Sequence, residues 1–208
     1  MKKSKEIDWS KRQQVRSHAG DIAQNRRHWR ELTDSGVFDI HPTVPAWTEV
    51  LLRHEQFTGG VWECACGTGA MSRVLEAGGY DVVSTNIPDQ GYGRQLDFLL
   101  ATELLAPNIV TNPPYRHLNE FIATALQLLR KGGGQKLALL IGQSALGGKR
   151  RSLEIWNNPK SKPHKAILVG NYMPNSYNGM IYAFYHVWVV WDVSRKCRKT
   201  ELVWDLAR

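Results

Sequence analysis

The sequence contains few cysteines, fewer acidic than basic residues, and no long hydrophobic run. Its 3 cysteines are too few for the disulfide framework of a small secreted domain. The longest apolar stretch, residues 181–191, is interrupted by His186 and is too short to cross a bilayer. The basic residues near the N-terminus are not followed by the apolar segment of a secretory signal. We therefore expect a cytoplasmic protein.

The length and composition are those of a single globular domain. With 208 residues, the chain is long enough for one well-buried domain and a tail, and too short for two full enzyme domains. Hydrophobic residues make up 42% of the chain and charged residues 22%, which excludes wholesale disorder.

The net charge of +8 is distributed unevenly along the chain. Residues 1–30 contain nine basic and three acidic residues, whereas residues 31–148 contain seven basic and twelve acidic ones. Residues 149–208 contain eleven basic and four acidic residues. A mildly acidic middle between two basic ends favours a polyanionic partner, although a solvated surface would give a similar composition. We expect the partner to be a nucleic acid.

From about residue 38 onward, patterns typical of strands and helices alternate. Helices are expected at residues 46–54, 70–77 and 118–129. Strands are expected at residues 60–66, 81–85, 109–111 and 137–141, with a final antiparallel pair at 166–169 and 182–191. Residues 142–165 read as a long polar and basic loop. This order predicts an α/β fold with a mostly parallel sheet, helices on both faces and an antiparallel last strand.

Residues 63–69, Glu-Cys-Ala-Cys-Gly-Thr-Gly, lie between a predicted strand and a predicted helix. Small residues at such a turn let the backbone approach a ligand and direct its N–H groups at it. A dinucleotide-binding fingerprint would need a glycine where Ser72 stands, so that interpretation is poor. A tight turn without a ligand remains the alternative. Cys64 and Cys66 lack a second Cys/His pair at metal-binding spacing, so we expect them to pack in the core and expect no metal.

Residues 112–115, Asn-Pro-Pro-Tyr, follow another predicted strand directly. Two prolines force a rigid, non-helical exit from the strand. The Asn112 side chain and the Pro113 carbonyl can therefore point together into a cleft, where two acceptors suit an exocyclic amino group. Tyr115 adds a flat face for a planar ring. A plain proline loop is the alternative, but a position at the carboxyl end of a strand favours a binding site.

With these two segments the chain resembles the S-adenosylmethionine-dependent amino-methyltransferases, and especially the short phage or prophage adenine-specific DNA methyltransferases. The resemblance covers residues 38–192, and its most specific element is Asn-Pro-Pro-Tyr. It implies a Rossmann-like class I methyltransferase domain at residues 36–192. A basic N-terminal arm or helix at residues 1–35 and a basic C-terminal tail at residues 193–208 would flank this domain.

The resemblance also implies a set of residues that bind S-adenosylmethionine. The family's cofactor loop has glycine where this chain has Ala65, and an acidic residue that binds the ribose where this chain has Asn86. Asp97 would accept a hydrogen bond from the adenine of the cofactor, and Phe98 would pack on its ring. The implied cofactor-binding residues are Pro42, Thr43, Glu63, Ala65, Gly67, Gly69, Asn86, Asp97, Phe98 and Asn112.

The resemblance implies that Asn112, Pro113, Pro114 and Tyr115 are catalytic. An adenine amino nitrogen is a poor nucleophile, because its lone pair is delocalised into the ring. Hydrogen bonds from the amino group to Asn112 and to the Pro113 carbonyl would favour a pyramidal nitrogen, and positioning would do the rest without a covalent intermediate. In a duplex the base must first be flipped out. Asparagine at position 112 favours adenine N6, since the family's cytosine-N4 enzymes usually have serine there.

The DNA-contacting parts are expected to be the loops at residues 142–165 and 170–181 and the two ends of the chain. Only 17 residues follow Trp191, which leaves no room for a separate target-recognition domain. The residues expected to contact DNA are Lys149, Arg150, Arg151, Lys160, Lys162 and, in the last strand, Trp188. Contacts to phosphates position a protein without specifying sequence, so we expect short or loose specificity.

Other functions remain open at the level of sequence. Similar motifs occur in enzymes that methylate RNA or a protein glutamine, although basic residues at both ends favour a phosphate backbone. A catalytically silent nucleic-acid-binding protein on the same fold is a further alternative, because Ala65 and Asn86 depart from the family pattern. By resemblance, the biological role would be the protection of phage DNA from restriction, in a bacterial or phage-infected cell.

Overall fold

The computed structural model describes residues 43–87, 92–177 and 180–207, and for residues 171–177 and 180–184 it describes the backbone only. The arm expected at residues 1–35 and the cofactor-binding residue Pro42 lie outside the described residues. All described residues belong to the unit Pro42–Arg208.

The described helices are close to those expected from the sequence. They are α1 (Pro45–His54), α2 (Ala70–Ala77), α3 (Leu118–Lys131) and the single turn α4 (Lys149–Arg151). Pro45 fits the first turn of α1, where a backbone N–H would have no helical partner. Gly79, with φ of 87°, supplies the left-handed residue that ends α2, and Tyr80 N then donates to Leu75 O at 3.2 Å. The sequence thus predicted α1, α2 and α3 correctly.

The strands form one sheet of eight. They are β1 (Val61–Glu63), β2 (Val82–Asn86), β3 (Arg94–Gln95), β4 (Asn108–Thr111), β5 (Lys136–Gly142), β6 (Lys165–Tyr177), β7 (Met180–Asp192) and β8 (Glu201–Asp205). Their order is β3-β2-β1-β4-β5-β7-β6-β8. Strand β7 runs antiparallel to β5 and β6, and the other pairs are parallel. This is the expected α/β, Rossmann-like class I methyltransferase fold.

Apolar side chains from the two faces of the sheet form two core layers. One layer joins the sheet to α1 and α2 through Trp47, Leu51, Met71, Leu75, Trp188 and Val190. The other joins it to α3 through Phe121, Ile122, Leu129, Leu139 and Val189. The chain reverses its winding direction at β1, so the carboxyl ends of β1 and β4 flank the point where ligands bind in such sheets.

The segment expected to be a loop at residues 142–165 contains helical turns. A 3₁₀ turn (Gln143–Leu146), α4 and a π-helical turn (Ser152–Trp156) succeed one another there. Ile155 is buried, and the Trp156 ring stacks on Trp191 with the ring centres 6.1 Å apart. Few apolar residues anchor this segment, so its periodicity is too weak to be recognised in the sequence.

The prediction of a loop at residues 170–181 is also wrong, because strands β6 and β7 continue through this segment. The β5–β7 pairing ends at Gly142 and His186, whereas the β6–β7 pairing continues to Tyr177 and Met180 after a register shift beyond Val169. The two strands therefore extend as a ribbon past the end of β5. Pro and Asn residues inside the segment mimic the signals of a loop.

Strand β8 was not predicted, because residues 193–208 read only as a basic tail. It pairs in parallel with β6, from Lys165 opposite Glu201 to Val169 opposite Asp205. Asp205 also accepts from Arg53 Nε at 2.9 Å and lies 2.8 Å from His54 Nε2. Contacts distant in sequence hold this strand, and the local pattern does not reveal them.

Candidate active site

The turn after β1 has the backbone shape that its glycines allow. Gly67 and Gly69 have φ of 51° and 80°, in the left-handed region that other residues rarely adopt. Gly69 N donates to Cys66 O at 2.7 Å, and Cys66 N donates to Thr85 O at 3.0 Å. The turn is thereby tied to β2, and Ala65, where the family has a glycine, is partly buried in the core.

A buried hydrogen-bond network joins this turn to the Asn-Pro-Pro-Tyr segment. The Thr111 hydroxyl at the end of β4 donates to Glu63 Oε1 at 3.2 Å, and the Ser72 hydroxyl in α2 donates to Glu63 Oε2 at 2.9 Å. Ser72 Oγ lies 2.8 Å from Ser84 Oγ in β2. Glu63 is only 2% exposed, and desolvation raises the pKa of its carboxyl to about 7 against the two hydroxyl bonds, which lower it.

Asn112 follows Thr111 and turns toward the start of α1. Its Nδ2 atom donates to the Thr43 hydroxyl at 3.3 Å, so the structure brings together two residues that the sequence placed in one site. Pro113 is buried, and Pro114 has φ of −59° and ψ of 121°, which keeps the chain extended until a 3₁₀ turn begins at Tyr115. The proline corner is therefore formed as expected.

Tyr115 lies beside the end of β5. Its ring approaches Gly142, and it packs against the α3 core layer while remaining partly exposed. Burial raises the pKa of its phenol well above the ordinary value, so the group is neutral at physiological pH. A partly exposed aromatic residue at this strand end offers surface to a planar ring.

Asn86 and Asp97 both lie near the end of β2. Asn86 pairs with Gln95 of β3, and Leu96 N donates to Asn86 O at 2.9 Å, which brings Asp97 next to this strand end. The Asp97 carboxylate accepts from Leu99 N at 2.9 Å and caps a 3₁₀ turn. Phe98 is almost fully buried between Trp62 and Phe121. The expectation that its ring packs on the adenine of a cofactor is therefore corrected, because almost none of its surface is accessible.

Three of the residues expected to contact DNA follow strand β5 at the same edge of the sheet as Asn112. They are Lys149, Arg150 and Arg151. The parallel strands β4 and β5 end side by side, and α4 follows β5. Lys149 and Arg150 are exposed. Arg151 instead donates to Asn119 Oδ1 at 2.9 Å and to Ala145 O at 3.0 Å, which makes it a brace for the segment.

Lys160 and Lys162 lie near the opposite edge of the sheet. They precede the start of β6, and β6 runs parallel to β5, so this end of the sheet is where β5 begins. The seven residues of β5 span about 20 Å. The structure therefore does not bring Lys160 and Lys162 together with Asn112.

The expectation that Trp188 contacts a substrate base is corrected by the structure. Trp188 is 0% exposed in the middle of β7, and its indole N–H donates to the Trp47 carbonyl at 2.7 Å. A side chain without accessible surface cannot stack on a base. The apolar, aromatic composition of this strand reflects burial on both faces of the sheet.

Several residues near the site were not singled out from the sequence. The Tyr92 ring covers Gly69, where an added Cβ would lie 2.5 Å from ring atoms, and the Arg73 guanidinium lies 4.8 Å from the ring centre. Thr111, Ser72 and Ser84 build the network around Glu63. A single hydroxyl-bearing residue gives no recognisable sequence pattern. Only Thr111 could have been suspected, because it directly precedes Asn112.

The cysteines beside the glycine turn are buried, as expected for packing residues. Desolvation raises the pKa of Cys66 to about 11, and it raises the pKa of Cys64 well above its ordinary value. Neither thiol is therefore a nucleophile at neutral pH. Within the described residues there is no group of side chains suited to hold a metal ion, and no helix is long and apolar enough to span a membrane.

Comparisons with known proteins support the fold. No protein-family model and no curated protein matches the sequence. The chain is similar to protein 1320 of Thermoplasma acidophilum, with 13% identity, a TM-score of 0.50, and coverage of 71% of this chain and 82% of that one. Identity at this level establishes the fold and leaves the substrate open.

Two further structures resemble the chain less closely. One is a TehB-like SAM-dependent methyltransferase from Corynebacterium glutamicum, with 15% identity, a TM-score of 0.44, and coverage of 88% and 99%. The other is a modification subunit assigned to a type I restriction enzyme of Vibrio vulnificus, with 14% identity, a TM-score of 0.48, and coverage of 88% and 50%. The substrate class must be argued from the site itself.

Proposed function

We propose that the protein transfers a methyl group from S-adenosylmethionine to the N6 amino group of adenine in DNA. The hydrogen bond between Thr111 and Glu63 carries this proposal, because it joins the glycine turn to the residue before Asn112. A turn suited to a cofactor and a corner suited to an amino group thus occupy neighbouring strand ends at the topological switch point.

The donor set at the strand ends fits S-adenosylmethionine. The half-buried backbone of Gly67 offers a close approach, and the side chains of Asn86 and Asp97 stand at the next strand end. A carboxylate and amide oxygens suit a ligand with ammonium and sulfonium charges and ribose hydroxyls. Asn86 can bond a hydroxyl without the charge that an acidic residue would supply. Bound there, S-adenosylmethionine supplies an electrophilic methyl group.

The proline corner supplies the acceptors for the target amino group. Asn112 Nδ2 donates to Thr43, which leaves Oδ1 on the opposite side of the amide as the acceptor for the substrate. Asn112 Oδ1 and the Pro113 carbonyl accept hydrogen bonds from the two amino hydrogens and hold the nitrogen in place. Tyr115 stacks on the adenine and offsets part of the cost of flipping, which is about a few kcal/mol. Water takes the released proton.

The charge distribution favours DNA as the polyanion. Lys149 and Arg150 are exposed at the edge of the sheet where the site lies, and residues 1–35 contribute a basic arm. These groups bind phosphates, and few side chains are left to contact the edges of the bases. The sequence specificity is therefore short or loose. With DNA as the substrate, we expect a cytoplasmic protein of a bacterial or phage-infected cell, and the family resemblance gives it the role of protecting phage DNA from restriction.

The test is transfer of a tritiated methyl group to DNA amplified in vitro, which carries no methyl groups. Single-stranded DNA, RNA and a protein extract serve as competing substrates, and digestion to nucleosides locates the label. We expect label in N6-methyldeoxyadenosine. Label in N4-methylcytosine, in RNA or in protein glutamine would replace DNA adenine as the target. Absence of transfer together with absence of S-adenosylmethionine binding in calorimetry would leave a nucleic-acid-binding protein.

A further inference from the structure

We infer that Glu63 is a positioning residue that holds the proline corner against the glycine turn, and that it does not bind the cofactor. The inference rests on the proposed methyl transfer and changes the role that family resemblance gives to this residue. It concerns how the two halves of the site stay aligned during the reaction.

Both carboxylate oxygens of Glu63 are engaged inside the protein. Oε1 accepts from the Thr111 hydroxyl at 3.2 Å, and Oε2 accepts from the Ser72 hydroxyl at 2.9 Å. With 2% of its surface exposed, the residue has almost no area that a ligand can reach. Glu63 thus contacts the strand that carries the proline corner through Thr111 and the helix that follows the glycine turn through Ser72. We call this set of contacts a bridge.

The bridge spans four elements. Thr111 ends β4, Glu63 ends β1, Ser72 lies in the first turn of α2, and Ser84 lies in β2 at 2.8 Å from Ser72. Asn112 is bonded covalently to Thr111, and Gly69 lies three residues before Ser72. A shift of Thr111 therefore moves the amide acceptor relative to the cofactor turn, and small misplacements of this kind lower rates strongly.

The bridge does not depend on the charge of Glu63. Burial raises the pKa of its carboxyl to about 7, so both protonation states are present at neutral pH. In the ionised form Ser84 donates to Ser72 and Ser72 donates to Glu63. In the protonated form the carboxyl can donate to Ser72, and Ser72 then donates to Ser84. The titratable groups that face it are the Cys64 and Cys66 thiols, which stay neutral.

Matched variants separate a bridge from a cofactor ligand. Glu63→Gln keeps one acceptor and one donor in nearly the same shape, and Glu63→Ala removes both. Thr111→Val removes the hydroxyl, and Thr111→Ser restores it. For each variant we would measure kcat and KM for methyl transfer, and the Kd of S-adenosylmethionine by calorimetry.

A bridge predicts that Thr111→Val lowers kcat about tenfold or more, while the cofactor Kd changes less than about threefold. Thr111→Ser should recover most of kcat, and Glu63→Gln should recover most of what Glu63→Ala loses. The effects of Thr111→Val and Ser72→Ala on kcat should be non-additive. A rise of about tenfold or more in cofactor Kd for Glu63→Gln, with kcat of Thr111→Val unaffected, would overturn the inference.

If the wild-type protein transfers no methyl group to any substrate, the proposed function is wrong. The bridge can then still be tested by a measurement that does not depend on activity. For this test we would measure the free energy of unfolding of the wild type, of Thr111→Val, of Ser72→Ala and of the double variant. Coupling between the two substitutions supports the bridge, and strict additivity overturns it.

Discussion

The amide nitrogen of Asn112 lies 3.3 Å from the hydroxyl of Thr43 and donates to it. A residue just before α1 thereby contacts a side chain at the end of β4, 69 positions later in the chain. The contact fixes the plane of the amide, with Nδ2 toward Thr43 and Oδ1 on the opposite side of the group. Thr43 is thus placed to control the acceptor in the proposed reaction.

Asn112→Ala is expected to lower methyl transfer by about a hundredfold or more, because it removes an acceptor that acts on the reacting nitrogen. Cofactor binding should be spared, since the glycine turn and Asp97 are untouched. Thr43→Val should lower kcat by about tenfold, because the amide loses the bond that orients it. Single-turnover methyl transfer and calorimetry measure the two effects separately.

Thr43→Ser is the matched control, since it keeps the hydroxyl and should stay near wild type. Full activity of Asn112→Ala would remove this residue from the mechanism, and equal losses for Thr43→Val and Thr43→Ser would show that the hydroxyl has no orienting role.

The buried carboxyl of Glu63 makes stability depend on pH. Its pKa is about 7 in the folded protein and near 4.5 when exposed, so the folded state binds the proton more tightly. The resulting stabilisation is complete below about pH 4.5 and is lost as the pH rises through 7. The shift corresponds to roughly 3 kcal/mol between these limits.

Denaturant unfolding at a series of pH values checks this dependence. In Glu63→Gln, which does not titrate, the free energy of unfolding should vary less between pH 5 and about pH 8. Equal pH dependence in the variant and the wild type would assign the change to other groups.

The sequence predicted the parts of the molecule that local chemistry determines. Pro45, Gly79 and the Pro113–Pro114 pair act on their own backbone, so helix ends and the rigid corner could be recognised directly. The pairing of β8 with β6, the contact of Asn112 with Thr43 and the network around Glu63 all join residues distant in sequence. Such contacts follow from tertiary packing, which a single sequence does not encode in any local pattern.

One surface assignment is wrong, and a second stays a prediction at a different place on the sheet. Lys160 and Trp188 have the residue types of a DNA-binding surface, but the strand directions place one at the far edge of the sheet and bury the other. Residue type alone does not reveal which edge or which face a side chain occupies.

Tyr115 and Trp188 should respond differently to substitution. Tyr115→Ala is expected to raise KM for duplex DNA more than for single-stranded DNA, because it removes a stacking partner of the flipped base, worth about 1–3 kcal/mol. Trp188→Phe should leave both KM values unchanged and should lower the free energy of unfolding by about 1–3 kcal/mol, since the Trp47 carbonyl loses its donor. Steady-state kinetics and urea unfolding of the two variants check this. A raised KM for Trp188→Phe would restore Trp188 to the substrate site.

The basic arm is expected to contribute electrostatic affinity for DNA. Deletion of residues 1–30 removes nine basic and three acidic residues. DNA binding should weaken, and the slope of log K against log salt should become shallower, because fewer counterions are released. Fluorescence anisotropy with a labelled duplex at several salt concentrations measures both. An unchanged slope would give residues 1–30 a structural role instead.

The exposed pair on α4 should be distinguishable from the pair at the opposite edge of the sheet. Replacing Lys149 and Arg150 by alanine removes two exposed cations near the proposed site, of which Arg150 is paired with Glu154, so the salt slope should fall by about 1–2. Replacing Lys160 and Lys162 by alanine removes the same charge about 20 Å away and should leave the slope near the wild-type value. Since both double variants change the net charge equally, a common loss of slope would indicate long-range attraction by the whole molecule. A loss confined to Lys160 and Lys162 would move the DNA to the other edge of the sheet, away from Asn112.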